Sequence, residues 1–128
     1  NIQPIEVFKS RDYMLVYKNE EEIRKININR YFFDQIDLGS GGVIVTAIGD
    51  SVDFVSRFFT PKATILEDPV TGSAHCTLIP YWSSQLSKKK LEALQISERG
   101  GRLLCLDNFE RVLIGGQAIL FSSGEFQF

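Results

Sequence analysis

The sequence predicts an α+β fold in which a curved mixed sheet wraps around one central helix. Strand-like segments outnumber helical ones, and the one substantial helical segment lies mid-chain, after a strand pair and before a run of short strands. No internal repeat recurs at a fixed period. At 128 residues and 44% apolar composition the chain can bury a real core, and residues 1–128 are expected to form a single unit.

Residues 5–8 and 13–17, IEVF and YMLVY, are short and rich in aromatic and β-branched types, with the polar KSRD between them, so they predict a hairpin. NEEEIRKI follows as a short surface helix: Asn19 suits the cap, and Glu20, Glu21 and Glu22 place negative charge at the amino end. Residues 28–38, INRYFFDQIDL, fit a helix and a strand about equally. GSGG at 39–42 resets the chain as a flexible turn; it lacks the lysine and following helix of a phosphate loop. VIVTAI at 43–48 is continuously apolar and predicts a strand buried on both faces, and VDFVSRFF at 52–59 is the next strand.

The main helical segment starts near Gly72. Cys76, Ile79, Ser83 and Leu86 in CTLIPYWSSQLSKKKLEAL share one helical face, which makes Cys76 a core residue. Pro80 removes a backbone hydrogen bond, so a kink near Cys76 or a helix in two pieces is expected. KKK at 88–90 reads as a solvated connection after the helix. From LQIS onward, Gly-Gly at 100–101, Asp-Asn at 107–108 and Gly-Gly at 115–116 punctuate an antiparallel meander running to the carboxy end.

Composition excludes several functions. Fourteen basic against sixteen acidic residues give a net charge of -2, too little positive field for nucleic acid to be a partner. No apolar run approaches the roughly 20 residues of a membrane span, and NIQPIEVFKSRDY has no signal-peptide pattern. Two cysteines, Cys76 and Cys105, make no disulfide framework and are expected to be reduced thiols, so the protein is expected to be cytoplasmic. His75 and Cys76 are adjacent and no second ligand cluster exists at metal-binding spacing, so no metal is expected.

EDPVTGSAH at 67–75 concentrates the chemistry. Thr71 suits the helix cap, leaving the N–H groups of Gly72, Ser73 and Ala74 free at the positive end of the helix, and Gly72 has no Cβ to keep a ligand away. Ser73 adds a hydroxyl. Pro69 holds the Asp68 carboxylate in extended backbone beside this end. An acid beside an anion-binding helix end can move a proton on a carboxylate-bearing substrate. Ordinary helix capping, with His75 as a core or helix-surface residue, explains the same residues without a ligand.

RFFTP at 57–61, EDPVTGSAH, PYW at 80–82, QISERGG at 95–101 and RVLIGGQA at 111–118 together resemble the second half of the PhzF-like phenazine-biosynthesis isomerase family. The resemblance implies the diaminopimelate epimerase-like fold, whose two similar lobes each wrap a sheet around a helix with the active site between them. It also implies that this chain is one such lobe, the carboxy-terminal one, and lacks the first. It implies a cofactor-independent isomerase or epimerase acting by general acid–base chemistry on a small carboxylate-bearing metabolite. Asp68 matches an acid of the site, Gly72 and Ser73 match the carboxylate-binding residues, and His75 orients groups nearby as part of the catalytic set. Related epimerases use two cysteines where this chain has Asp68 on one side.

The family's principal base is a glutamate of the first lobe, so the resemblance further implies a partner: a first-lobe chain or a second copy. TPKATILEDP departs from the family, which usually carries a glycine in the approach to EDP. The alternatives are a non-catalytic binding or partner lobe, and a fragment of a longer enzyme.

Overall fold

Seven strands form one sheet whose spatial order is the chain order, with antiparallel and parallel pairs interleaved. The computed structural model describes residues 2–127. Strand β1 (Glu6–Lys9) pairs antiparallel with β2 (Tyr13–Val16), which pairs parallel with β3 (Val43–Ile48); β3 and β4 (Phe54–Phe59) are antiparallel. Strand β4 then pairs parallel with β5 (Lys90–Gln95), and β5, β6 (Gly101–Asn108) and β7 (Arg111–Gly115) form the antiparallel end. Parallel neighbours need a crossover. Helices α1 (Glu20–Arg24) and α2 (Arg30–Phe33) lie in the first, and α3 (Gly72–Leu86) in the second.

The two crossovers cover opposite faces. Ile44 of β3 and Phe54 and Phe58 of β4 pack toward α3 with Leu78, Ile79 and Trp82. Val43, Val45 and Ala47, on the other face, join Val55, Phe59, Ile23 of α1 and Phe33 of α2. The expected two-sided burial of residues 43–48 is therefore met, apart from the exposed Ile48 at the strand end.

Curvature follows from what α3 touches. Phe8 of edge strand β1 stacks edge-on against Tyr81 at 5.6 Å, while Val112 of β7 packs on the same core cluster. Seven strands laid flat span roughly 30 Å and a helix is about 10–12 Å wide, so one helix meets both sides only if the sheet wraps it. The result is the expected α+β fold with an unclosed curved sheet. A buried polar tie pins the two layers: Trp82 Nε1 donates to Thr46 Oγ1 at 2.9 Å, and that hydroxyl donates to Val55 O at 2.8 Å.

Several local expectations need correction. Residues 28–38 yield only the one-turn α2, capped by the Asn29 side chain accepting from Tyr31 N–H. Helix α3 is one piece across Pro80, not two; Pro80 and Cys76, whose carbonyl loses its donor, both lie on the exposed side, where water can take the donor's place. Its buried face is Ala74, His75, Leu78, Ile79, Trp82 and Ser83, not a face containing Cys76; one residue is a 100° rotation, and Cys76 falls on the solvent side. Cys105 is the buried thiol, and both cysteines are free.

KKKLEAL is not helical. Ser87 adopts the left-handed conformation (φ 50°), Lys88 N–H closes back on Ser83 O, and Lys90 begins β5, whose Leu91, Ala93 and Gln95 alternate inward. The lysines are exposed, as expected, and two are paired: Lys88 with Asp53 and Lys89 with Asp107. Beyond β7 the meander does not continue, and residues 116–127 have no strand partner and leave Ile119, Leu120, Phe121 and Phe126 exposed.

Among the described residues, no helix is long and apolar enough to cross a membrane.

Candidate active site

The loop between β4 and α3 is anchored most densely over Glu67–Thr71. Arg57 holds Glu67 through two bonds, Nε to Oε1 at 2.7 Å and Nη2 to Oε2 at 2.9 Å. Asp68 N–H donates to Phe58 O at 3.0 Å, and Ser97 Oγ donates to Pro69 O at 2.7 Å. Val70 packs on Gly101, where a Cβ would stand only 2.4 Å from its methyl, so the glycine sets how closely β6 approaches the loop.

Gln95, the last residue of β5 and 1% exposed, ties the rest together. Its Oε1 accepts from Thr71 N–H at 2.7 Å; its Nε2 donates to Asp68 O at 2.7 Å and lies 3.1 Å from Thr71 Oγ1. Thr71 Oγ1 in turn donates to Asp68 Oδ2 at 2.5 Å. Thr71 does occupy the cap position of α3, but its hydroxyl makes no capping bond, being committed to Asp68 instead.

That leaves the amino end of α3 open. Gly72 and Ser73 are exposed, their N–H groups find no protein acceptor among the described residues, and a Cβ on Gly72 would point into empty space. Ala74 is buried. Gly72 borders a cleft of about 480 Å³ shared with Val70, Arg99, Gly101 and Gln117. A larger hollow of about 810 Å³, along β5–β7 and the turn at Asp50, contains none of residues 67–75, so size does not mark the site here.

Arg11 arrives from the β1–β2 turn. Its Nη2 lies 3.2 Å from Ser73 Oγ, and Asp12 grips it with Nη2–Oδ2 at 2.6 Å. Asp12 is itself buried and accepts Gly42 N–H at 2.8 Å, so the last residue of the GSGG turn braces this pair. The arrangement supplies two unpaired N–H groups, one hydroxyl and one guanidinium at the positive end of a fifteen-residue helix, a constellation complementary to a carboxylate.

His75 faces the other way. It is fully buried, its ring lies 5.9 Å from that of Phe54, and Nδ1 bonds to Thr71 O at 2.8 Å. Because a carbonyl only accepts, Nδ1 carries the proton, and burial holds the imidazole neutral by pushing its pKa below the usual value. Its Nε2 and Ser56 Oγ are the buried side-chain polar atoms without a partner among the described residues. The structure thus brings Asp68, Thr71, Gly72 and Ser73 together with Arg11 and Gln95, while His75 supports the loop from beneath. Neither Arg11 nor Gln95 follows from EDPVTGSAH. For Gln95 a signal exists, a polar residue at the inward position of the alternation Leu91, Ala93, Gln95.

The profile of the phenazine biosynthesis-like protein family matches residues 3–124. The chain belongs to the phenazine biosynthesis-like family. It is 49% identical over 124 residues to an uncharacterised isomerase of Pseudomonas aeruginosa, covering 96% of this chain and 47% of that protein. An uncharacterised isomerase of Halalkalibacterium halodurans is 43% identical over 121 residues, 92% of this chain and 45% of the relative. The crystal structure of a PhzF-family phenazine biosynthesis protein from Enterococcus faecalis superposes with a TM-score of 0.87 at 50% identity, over 99% of this chain and 48% of that one. This phenazine biosynthesis-like chain spans about half the length of the curated relatives it matches.

Proposed function

We propose that this chain is the carboxy-terminal lobe of a cofactor-independent isomerase or epimerase that moves a proton on a small carboxylate-bearing metabolite. The observation that carries the reading is the placement of the anchored Asp68 carboxylate four residues before Gly72, the open helix end flanked by Arg11. Gly72 and Ser73, with Arg11, hold the substrate carboxylate. Asp68 exchanges a proton with the neighbouring substrate carbon.

Proton transfer across one carbon or ring edge needs a second acid–base group opposite the first. A first lobe supplies it in this reading, as part of the same protein, as a separate chain, or as a second copy. The relatives' length and their description as isomerases support this. The role of His75 is positioning, because the ring holds Thr71 O and does not open on the cleft.

The test is made in a protein of the relatives' full length that carries this lobe, following solvent deuterium incorporation into a panel of amino- and hydroxy-carboxylates. Asp68→Asn is expected to lower the exchange rate about a hundredfold to ten-thousandfold while keeping the shape of the site. Unchanged exchange in that variant refutes the assignment. Absence of exchange in the parent protein across the panel favours the alternative, a non-catalytic lobe that binds anions.

A further inference from the structure

We infer that Gln95 and Thr71 are positioning residues that lock Asp68 Oδ2 as a hydrogen-bond acceptor and leave Oδ1 as the oxygen that carries the transferable proton. The inference rests on the proton-transfer reading above and deepens it to single atoms.

The bond directions are forced by group chemistry. A backbone N–H can only donate and a backbone carbonyl can only accept. Thr71 N–H lies 2.7 Å from one terminal atom of the Gln95 amide and Asp68 O lies 2.7 Å from the other. The amide therefore has one orientation, with Oε1 toward Thr71 N–H and Nε2 toward Asp68 O. Nε2, fixed as a donor, also faces Thr71 Oγ1 at 3.1 Å, so that hydroxyl must accept there. Its own proton is free to point elsewhere, and Asp68 Oδ2 at 2.5 Å is its acceptor.

The consequence for Asp68 is an asymmetry between its two oxygens. Oδ2 receives a hydroxyl proton delivered from a buried, rigid partner, which disfavours a second proton on that atom. Oδ1 has no hydrogen-bond partner among the described residues, although the loop is otherwise densely bonded. The backbone of Asp68 is held on both sides, its N–H by Phe58 O and its O by Gln95, and the one bond to the carboxylate, Thr71 to Oδ2, then orients Oδ1. In turnover, Oδ1 releases its proton to the substrate carbon and becomes carboxylate, while the opposing group takes a proton from the substrate; in the reverse sense Oδ1 regains it. No oxidant or cofactor enters this balance.

Two measurements separate this inference from the reading it rests on. The first needs no activity: proton NMR of this chain with labelled threonine. The expected result is a slowly exchanging Thr71 hydroxyl proton with cross-relaxation to the Gln95 side-chain amide. Gln95→Glu, which cannot donate, should abolish or shift it. A rapidly exchanging hydroxyl in the parent, or a signal indifferent to Gln95→Glu, overturns the relay whatever the protein catalyses.

The second uses the full-length protein. Thr71→Val is expected to lower kcat for deuterium exchange at least tenfold, up to the roughly hundredfold or more of losing the acid–base group itself, with KM little changed. Thr71→Ser, which restores the hydroxyl, should recover most of the rate. Equal loss in Thr71→Ser and Thr71→Val, or a change confined to KM, overturns the positioning role. Unchanged exchange in Asp68→Asn, with the NMR relay intact, locates the failure in the proton-transfer reading.

Discussion

Arg11 Nη2 lies 3.2 Å from Ser73 Oγ although the two residues are 62 apart in sequence, so the β1–β2 turn places a guanidinium beside the amino end of α3. Arg11 is half exposed, but the Asp12 carboxylate it pairs with is buried, so its removal leaves Asp12 with the Gly42 N–H alone. Arg11→Ala is expected to weaken binding of small aryl and alkyl carboxylates about tenfold, or roughly 1.4 kcal/mol, and to lower the unfolding midpoint because Asp12 loses its cation. Titrations followed by the ¹⁵N shifts of Gly72 and Ser73 measure this; binding unaffected by the substitution removes Arg11 from the site.

Gly72→Ala tests the open space in front of the helix. A Cβ there meets no protein atom, and alanine is the better helix former, so stability should hold or rise slightly. Carboxylate binding should nevertheless fall, because the methyl projects where a ligand would approach the backbone. Full affinity with a methyl in place places the anion elsewhere.

Arg57 joins the site loop to the first crossover. Its Nη1 donates to Ile23 O and Ile26 O at 3.0 and 2.9 Å while the rest of the guanidinium holds Glu67. Arg57→Met strands two carbonyls and a mostly buried carboxylate, and is expected to cost about 2–4 kcal/mol. Urea unfolding reads the loss, and Arg57→Lys should recover only part of it because a lysine cannot fork.

His75 is the only histidine in the sequence and gives stability a distinctive pH dependence. Desolvation lowers its folded-state pKa below the ordinary 6.5, and the bond to Thr71 O opposes this more weakly. The unfolded chain therefore binds a proton at a pH where the folded chain does not. Stability is complete above about 6.5 and declines as pH falls toward the folded value. Thermal unfolding between pH 7.5 and 5 should show this decline, and its slope should flatten in His75→Gln; an equal slope in both proteins contradicts it.

Local chemistry was legible in the sequence, and long-range placement was not. Asn19 as a cap, Gly72 as the helix start and the buried strand at 43–48 all depend on neighbours within a few residues. Arg11 and Gln95 reach the site only through strand pairing, and nothing in the spacing of a turn arginine to a serine 62 residues on records that pairing. Cys76 was misplaced because two adjacent helical stripes both contain Ile79 and Ser83, and the packing of Leu78 and Trp82 decides between them. The last segment has strand-like composition, but composition does not supply a neighbour to pair with.

Gln95 also changes what the site loop can do in time. Loops ordinarily open on their own, and their amides exchange with solvent quickly. The Thr71 amide is instead bonded to a side chain rooted in β5, 24 residues away, inside a core that α3 and the sheet share. Both partners are buried, so this loop amide is expected to exchange with deuterium more slowly than an ordinary loop amide. The geometry around Asp68 thereby draws its durability from the buried end of β5 as well as from the loop itself.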